Sequence, residues 1–442
     1  MKKILPFIVL LLLCFKLEAS AEFQRNDTST VWKAGVSKVI ITPKKPMWMA
    51  GYASRVHPSE GTLHDLWAKA LVLEDASGKK AVLITSDLVG IPKSISDKIR
   101  DQLESRFHLS RSQIIINTSH THSGPVLENS LSSIYPLDKQ QAELVTEYSK
   151  NLVTQVVGLV GDALKAMQPV RLYSENGISR FQVNRRNNNE SKLLEQTELK
   201  GPNDYAVPVL KVESTKGKLL AIAFGYACHN TVLSGYDWSG DYAGFAQLEL
   251  EKEYPGTTAL FFQGTGADQN PLPRRTVALA QQYGKTLAFA VSRVLKEDMR
   301  KLAPRLSTAY SEIKLPLASP PAESELVIIA GESKTYYIKA WAEMLLKKMR
   351  SGEPLERTYD YPLQVWTIGD QTLVAMGGEV AIEYAIQLKR IYGDRLFVLG
   401  YSNDVMAYIP SSTILKEGGY EGETSQMAYG LPAKWGDGIE KL

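Results

Sequence analysis

The chain has six histidines, and two of them, His120 and His122, stand one residue apart in the stretch IIINTSHTHSGP. In an extended segment, residues i and i+2 point to the same face, so the sequence predicts that both imidazoles look into one space with Thr121 turned away. Such a pair suits two metal ligands, or one ligand beside a proton-transfer group. The plainer alternative is a polar loop whose histidines are merely hydrogen-bonded. Other polar residues also follow apolar runs: Asp87 after VLITS, His229 after IAFGYAC, Asp268 after ALFFQGTGA, Glu379 after TLVAMGG and Asn403 after LFVLGYS. Function in open α/β folds gathers beyond the carboxyl ends of strands, so these residues surround a pocket if those ends share a side. Taken singly, His229 reads as a satisfied core histidine and Glu379 as a first-turn carboxylate favoured by a helix dipole. Together, neutral histidines with one carboxylate are the usual ligands of a catalytic zinc that keeps a position open for water. His57, His64 and His108 fall outside the set and read as structural or surface residues.

The elements that must position these groups alternate along the chain. Trp67–Leu73 and Lys80–Ser86 read as paired strands around the turn Asp75–Gly78. Ser94–Phe107 has helical periodicity, and the run QIIINTS after it reads as a buried strand. Gln140–Met167 fits one long helix or two joined ones. Leu219–Tyr226 and Thr258–Gln263 read as strands flanking a helix at Tyr242–Tyr254. Val277–Leu302 reads as a long alanine-rich helix, Leu363–Ala375 as two paired strands, Glu379–Tyr392 as a helix and Leu396–Tyr401 as a strand. Pro316–Glu332 is the least organised segment and reads as a surface loop or lid edge. The recurring order of strand, polar turn and helix predicts an α/β fold, a layered sandwich of mixed β-sheets flanked by helices.

The first residues, MKKILPFIVLLLLCFKLEASAEF, carry Lys2 and Lys3 at the start, then a short apolar core and a small-residue site at Ala19-Ser20-Ala21. Residues 1–21 therefore read as a secretory signal peptide, leaving 22–442 as a single catalytic domain in the periplasm or secreted. Leu13 is too bulky for a lipoprotein cleavage site before Cys14. No later segment has the length and apolarity of a transmembrane helix. Removing the signal leaves only Cys228, which excludes an internal disulfide framework. The formal net charge is +3 with no basic run, which argues against a nucleic-acid partner. The 44% hydrophobic fraction supports a sizeable core.

From about GYASR to YEGETS the chain resembles the neutral (non-lysosomal) ceramidase family. HTHSGP carries the resemblance most specifically, supported by TSDL, NRR at Asn184–Arg186, ACHNT around His229, GGE ending at Glu379, and AYIPSSTILKEGGYEG at Ala407–Gly422. The resemblance implies one zinc held by His120, His229, Glu379 and Tyr408, with His122 as acid/base or carbonyl-polarising group. Arg185 and Tyr420 match positions that bind substrate or the developing oxyanion; read without the resemblance they are a loop arginine and a turn tyrosine. Tyr408 is not distinguishable by composition among 21 tyrosines.

Three departures qualify the resemblance. Where the family often carries Gly-Asp-x-Ser-Pro-Asn, this chain reads GADQNP, and Gln269 takes the approximate place of the serine, as a substrate-binding candidate. That disfavours a serine acyl-enzyme and favours metal-activated water. Gly377-Gly378-Glu379 replaces Pro-Gly-Glu and keeps the carboxylate. The chain stops soon after YGLPAKWGDG, without the family's carboxy-terminal immunoglobulin-like domain. The expected activity is zinc-dependent hydrolysis of an N-acyl amide, with a small-molecule or ceramide-like lipid substrate. Alternatives are a zinc hydrolase of acylated or amino sugars or other non-lipid amides and esters, and a secreted non-catalytic binding protein. Asp268 reads equally as support for an imidazole or asparagine and as a turn carboxylate. Trp341–Met349, the nearest candidate for membrane docking, reads as an ordinary amphipathic helix.

Overall fold

The computed structural model describes residues 31–131 and 134–442; the expected signal segment 1–21 lies outside them. A nine-stranded sheet contains β1 (Trp32–Ile40), β2 (Trp67–Glu74), β3 (Lys80–Ser86), β4 (Ile114–Thr118), β5 (Gln168–Ile178), β6 (Ala206–Ser214), β7 (Leu219–Tyr226), β8 (Thr258–Gln263) and β9 (Arg300–Leu302). Their order is β8-β7-β6-β5-β1-β2-β3-β4, with β9 added on β5. The outermost pairs β3–β4 and β7–β8 are parallel, and the pairs between them are antiparallel. A second sheet has the order β10 (Leu306–Pro316), β11 (Thr358–Ile368), β12 (Gln371–Met376) and β13 (Phe397–Leu399). The longer helices are α1 (Lys93–Phe107), α2 (Lys139–Lys165), α3 (Asp241–Glu253), α4 (Val277–Leu295), α5 (Glu323–Glu332), α6 (Tyr336–Arg350) and α7 (Ile382–Tyr392).

The period of two along each strand sorts the core into layers. Ala70, Val72, Val82, Ile84, Ile114 and Ile116 pack under α1 and α2 with Ile99, Leu103 and Val156. Val209, Ile222, Phe224 and Phe261 pack under α3 and α4 with Leu250, Leu287 and Val291. The alternate residues Leu71, Leu83, Ile115, Leu210, Ala223 and Phe262 face the other way and meet Trp366, Ile368, Leu373 and Phe397 of the second sheet. The outer face of the second sheet is covered partly by α7, through Ala385 and Leu388. Two mixed sheets therefore pack face to face between layers of helix, which is the expected α/β sandwich.

Buried Asn117 joins the two margins of the large sheet. Its Nδ2 donates to Gly400 O at 2.8 Å and Gln263 O at 3.3 Å, and its Oδ1 accepts from Gln263 N at 2.7 Å. Isolated bridges between Asn117 and Ser402 and between Gly264 and Leu399 continue the link to β13. The carboxyl ends of β4, β8 and β13 thus arrive together, which places the residues that follow them around one centre.

Three expectations need correction. Helix α4 stops at Leu295, and Arg300–Leu302 is a strand paired with β5; Leu302 belongs to the core between the sheets, and Arg300 bonds Asp370 and Gln371. Glu379 precedes α7, which begins at Ile382, and lies in a two-residue strand, so it is not a first-turn carboxylate. The Pro316–Glu332 segment contains α5, whose Leu326 packs against Trp341 and Leu345 of α6. Trp341–Met349 lies within that amphipathic α6. Among the described residues, no helix is long and apolar enough to cross a membrane.

Asp404 follows the β13 turn, and its buried carboxylate accepts from Tyr359 Oη at 2.7 Å. Burial pushes it up to about 6. A carboxyl raised on folding binds more protons in the native state, so its contribution to stability falls as pH rises from its unfolded value toward 6. Relative to the parent, Asp404→Asn is therefore expected to gain thermal stability between pH 5 and pH 7; a melting-temperature difference that does not change with pH contradicts this.

Candidate metal centre

His120 reaches the centre by a route other than strand alternation. Strand β4 ends at Thr118, and His120 has φ 60, a left-handed conformation costing about 1–2 kcal/mol for a residue with a Cβ. Two bonds hold it there: His120 N donates to Leu88 O at 2.9 Å, and the ring Nδ1 meets Val89 O. His122 N then donates to Asn230 O at 3.3 Å, and the two rings lie 4.8 Å apart, edge to face. The expected shared face therefore exists, but a turn makes it.

His229 follows β7, with its N donating to Gln269 O at 3.0 Å and its Nδ1 to Gly266 O at 2.7 Å. Glu379 is delivered by the Gly377-Gly378 turn. Gly378 has φ +71, and a Cβ there would stand 2.7 Å from Ala407 O, so glycine permits the close approach of two backbones. Glu379–Val380 pairs in parallel with Tyr408–Ile409, putting Glu379 and Tyr408 in register.

These side chains converge. Glu379 Oε2 lies 3.1 Å from His120 Nε2 and 3.1 Å from His229 Nε2. Tyr408 Oη is 3.4 Å from His229 Nε2, and His122 Nε2 is 3.1 Å from His120 Nε2. All four of His120, His229, Glu379 and Tyr408 are buried. A carbonyl only accepts, so Val89 O and Gly266 O fix the proton of each ring on Nδ1 and leave an Nε2 lone pair facing the carboxylate. Acceptors facing acceptors in a dry site repel unless a cation lies between them. Burial, with Arg185 nearby, pushes His229 down to about 4, so burial disfavours a proton on that ring. A divalent metal fits this donor set: ligands about 2.0–2.2 Å from a tetrahedral ion lie about 3.3 Å from one another. His120, His122 and His229 by themselves also form a group able to hold a metal ion, their ligand atoms lying within 4.8 Å of one another.

His122 differs from the other two histidines. Among the described residues its buried Nδ1 has no hydrogen-bond partner. Burial, followed by the neighbouring His120 and His229, holds its pKa well below the usual histidine value. The ring packs edge-on against Tyr52 with centroids 4.7 Å apart. Gly51, at φ +99, backs it so closely that a Cβ would lie 2.4 Å from His122 Cγ.

Arg185 braces the far side. Its Nη2 donates to Tyr408 Oη at 3.0 Å and its Nε to Glu421 at 2.8 Å, while Arg186 holds the other Glu421 oxygen at 2.7 Å. Tyr420 is 46% exposed, and its ring stands 5.3 Å from that of Tyr408. A cavity of about 860 Å³ opens here, with His122, Arg185, Tyr408 and Tyr420 in its wall. Gln269 is not in that wall: it is buried and its Nε2 donates to Pro202 O at 3.2 Å; its neighbour Asn270 lines the cavity instead. Asp268 accepts from Asn184 at 2.8 Å and from Ile382 N at 2.9 Å, tying the Arg185 loop to the start of α7. Asp87 and Asn403 serve the backbone, accepting from Trp67 N and Ile116 N. His64 bonds Ser239 Oγ at 2.9 Å.

Three contributors gave no local sequence signal. Tyr429 donates to Glu379 Oε1, Tyr401 reaches Glu379 Oε2 at 3.4 Å, and Tyr52 flanks His122.

Residues 32–281 match the family model described as neutral/alkaline non-lysosomal ceramidase, N-terminal. The chain is 26% identical over 280 residues to a neutral ceramidase of Pseudomonas aeruginosa, covering 60% of this chain and 40% of that one. It is 25% identical over 284 residues to neutral ceramidase B of Dictyostelium discoideum, covering 59% and 38%. The matches thus span about 40% of these relatives' length. The crystal structure of the Pseudomonas aeruginosa neutral ceramidase superposes with a TM-score of 0.69 at 18% identity over 91% of this chain and 73% of that one. A structure titled ceramidase complexed with C2 gives 0.71 at 18% identity, over 93% and 73%. These superpositions show that the fold is shared.

The Tyr429 hydroxyl orients the carboxylate of the centre, so Tyr429→Phe is expected to weaken metal binding about 10–100-fold, read by competition against a chelator. Unchanged affinity contradicts that role.

Proposed function

Because the chain belongs to the neutral/alkaline non-lysosomal ceramidase family, we propose that it is a zinc-dependent hydrolase of N-acyl amides. The observation that carries this reading is the facing of two Nδ1-pinned imidazoles and one carboxylate beside a histidine whose own Nδ1 is free. In it, His120, His229, Glu379 and Tyr408 hold the zinc. Bound there, the ion supplies Lewis acidity, polarising a carbonyl and lowering the pKa of water.

The chain's own groups have separate tasks. His122, whose buried Nδ1 has no partner among the described residues, accepts a proton from the attacking water and passes it to the leaving nitrogen. Tyr420, partly exposed in the cavity wall, donates its hydroxyl to the developing oxyanion, a kind of contact worth a few kcal/mol. Arg185 gives its Nε proton to Glu421 and an Nη2 proton to Tyr408. Its main task is to fix the Tyr408 oxygen, and its charge favours negative charge building up nearby. The buried Gln269 takes no part in binding, and water is the nucleophile.

A non-lipid amide, such as an acylated amine bearing polar groups, is the second reading. The cavity wall favours it, because Asn187, Asn188, Asn189, Gln196, Thr231 and Asn270 all line it, whereas sites for long acyl chains are mainly apolar.

Purified protein is expected to hold about one zinc per chain, and His229→Ala is expected to lose it. His122→Ala is expected to keep the metal while kcat falls about 10²–10⁴-fold. Gly51→Ala, which drives a methyl into the His122 ring, is expected to lower kcat about 10²-fold through misplacement alone. Metal analysis with mass-spectrometric turnover of N-acyl sphingoids, N-acyl amino acids and N-acetylated sugars reads all three. Full metal in His229→Ala, or full turnover in His122→Ala, overturns the assignment.

A further inference from the structure

The cavity wall carries an excess of positive charge. Arg185, Arg186, Arg274 and Arg275 line it against two carboxylates, Glu190 and Glu421, and Leu272 is its one aliphatic side chain among the described residues. Three of these arginines are committed. Glu421 holds Arg185 and Arg186 at 2.8 and 2.7 Å, and Glu190 takes Arg274 in a fork with bonds of 2.7–3.0 Å.

Arg275 is different. Among the described residues no carboxylate lies within the 4.0 Å ion-pair distance of its guanidinium, and its side chain makes one hydrogen bond, from Nη1 to Tyr52 Oη at 3.2 Å. Tyr52 is itself anchored, donating to Leu233 O at 3.0 Å, so its hydroxyl has a lone pair to offer. The guanidinium lies 5.6 Å from the Tyr52 ring centroid. The main chain at Arg275 takes φ 90, and its N donates to Val232 O at 2.7 Å. An ordinary surface arginine waves in solvent; this one is held at both ends. Tyr52 also packs against His122, so the uncommitted cation stands one phenol ring away from the histidine that serves the leaving nitrogen.

We propose that the substrate carries an anionic group, a carboxylate or a phosphate, on its amine half, and that Arg275 binds it. The inference rests on the amide-hydrolase reading, in which His122 marks the side of the leaving amine. A guanidinium presents paired donors matched to two oxygens of either anion, and a cleft with surplus positive charge concentrates anions at its mouth. Arg275 is exposed, so the contact weakens with added salt.

The test uses one acyl group on three amines: an amino acid, phosphoethanolamine and neutral ethanolamine. The zinc-loaded protein is expected to prefer one or both anionic amides in kcat/KM, the two anionic arms showing whether carboxylate or phosphate is the natural group. Arg275→Gln is expected to reduce the anionic-to-neutral ratio about 10–100-fold, the scale of a charge-assisted hydrogen bond. Arg275→Lys keeps the charge without the fork and is expected to fall between, which also guards against a glutamine variant that folds poorly. Calorimetric binding of the same amides in a His122→Ala background separates recognition from turnover. A ratio that Arg275→Gln leaves unchanged, or a preference for the neutral amide, overturns the proposal while leaving amide hydrolysis standing. Arg275-dependent binding of the anionic amides with no turnover in the parent protein removes the hydrolase reading and keeps the anion site.

Discussion

One electrostatic constraint organises the molecule: in a buried pocket, two imidazole lone pairs and a carboxylate oxygen point at each other, with the Tyr408 hydroxyl alongside. The three acceptors repel one another unless a cation lies among them. The fold nevertheless imposes it from several directions. Asn117 ties the ends of β4, β8 and β13 together, carbonyls at Val89 and Gly266 orient two rings, and a Gly-Gly turn brings Glu379 alongside Tyr408. The strained φ of His120 fits the same account, since a sparsely populated conformation persists only where its surroundings over-determine it.

The two histidines of the HTH stretch are chemically alike and structurally unlike. His120 is tied through Nδ1 to a carbonyl, whereas the Nδ1 of His122 has no partner among the described residues. A metal ligand profits from a fixed ring, while a proton carrier needs a nitrogen left available. Around this centre, Arg185 and Arg186 share Glu421, and Asp268 fastens the Arg185 loop to the start of α7. The site therefore depends on residues widely separated in the chain and on bonds that carry no chemistry of their own.

Much of the architecture was legible in the sequence because short apolar runs and a period near 3.6 are local signals. Strands β2, β3 and β4, buried almost throughout, follow from the first, and the helix at Lys93–Phe107 from the second. The reading failed where distant packing decided the outcome. Nothing local in Arg300–Leu302 announces a strand, since its pairing with β5 and its place between the sheets come from residues far away. The sequence places Glu379 at the start of a helix, whereas the Gly-Gly turn gives it a strand partner only because Tyr408 lies opposite. His120, His122 and His229 stood out by rarity and by following strands. Tyr408 required the family resemblance, and Tyr52, Tyr401 and Tyr429 had no signal strong enough to separate them from the other tyrosines. Gln269 stands at the sequence position of a substrate-binding candidate, and its side chain donates to Pro202 O.

The central claim is a division of labour, in which His120 and His229 hold the metal with Glu379 and Tyr408 and His122 stands apart. X-ray absorption at the zinc edge of the loaded protein tests it most directly, because imidazole ligands are counted by their multiple scattering. The account predicts two imidazoles with oxygen ligands, no sulfur, and a spectrum that keeps two imidazoles in His122→Ala. Three imidazoles in the parent falling to two in His122→Ala would contradict it.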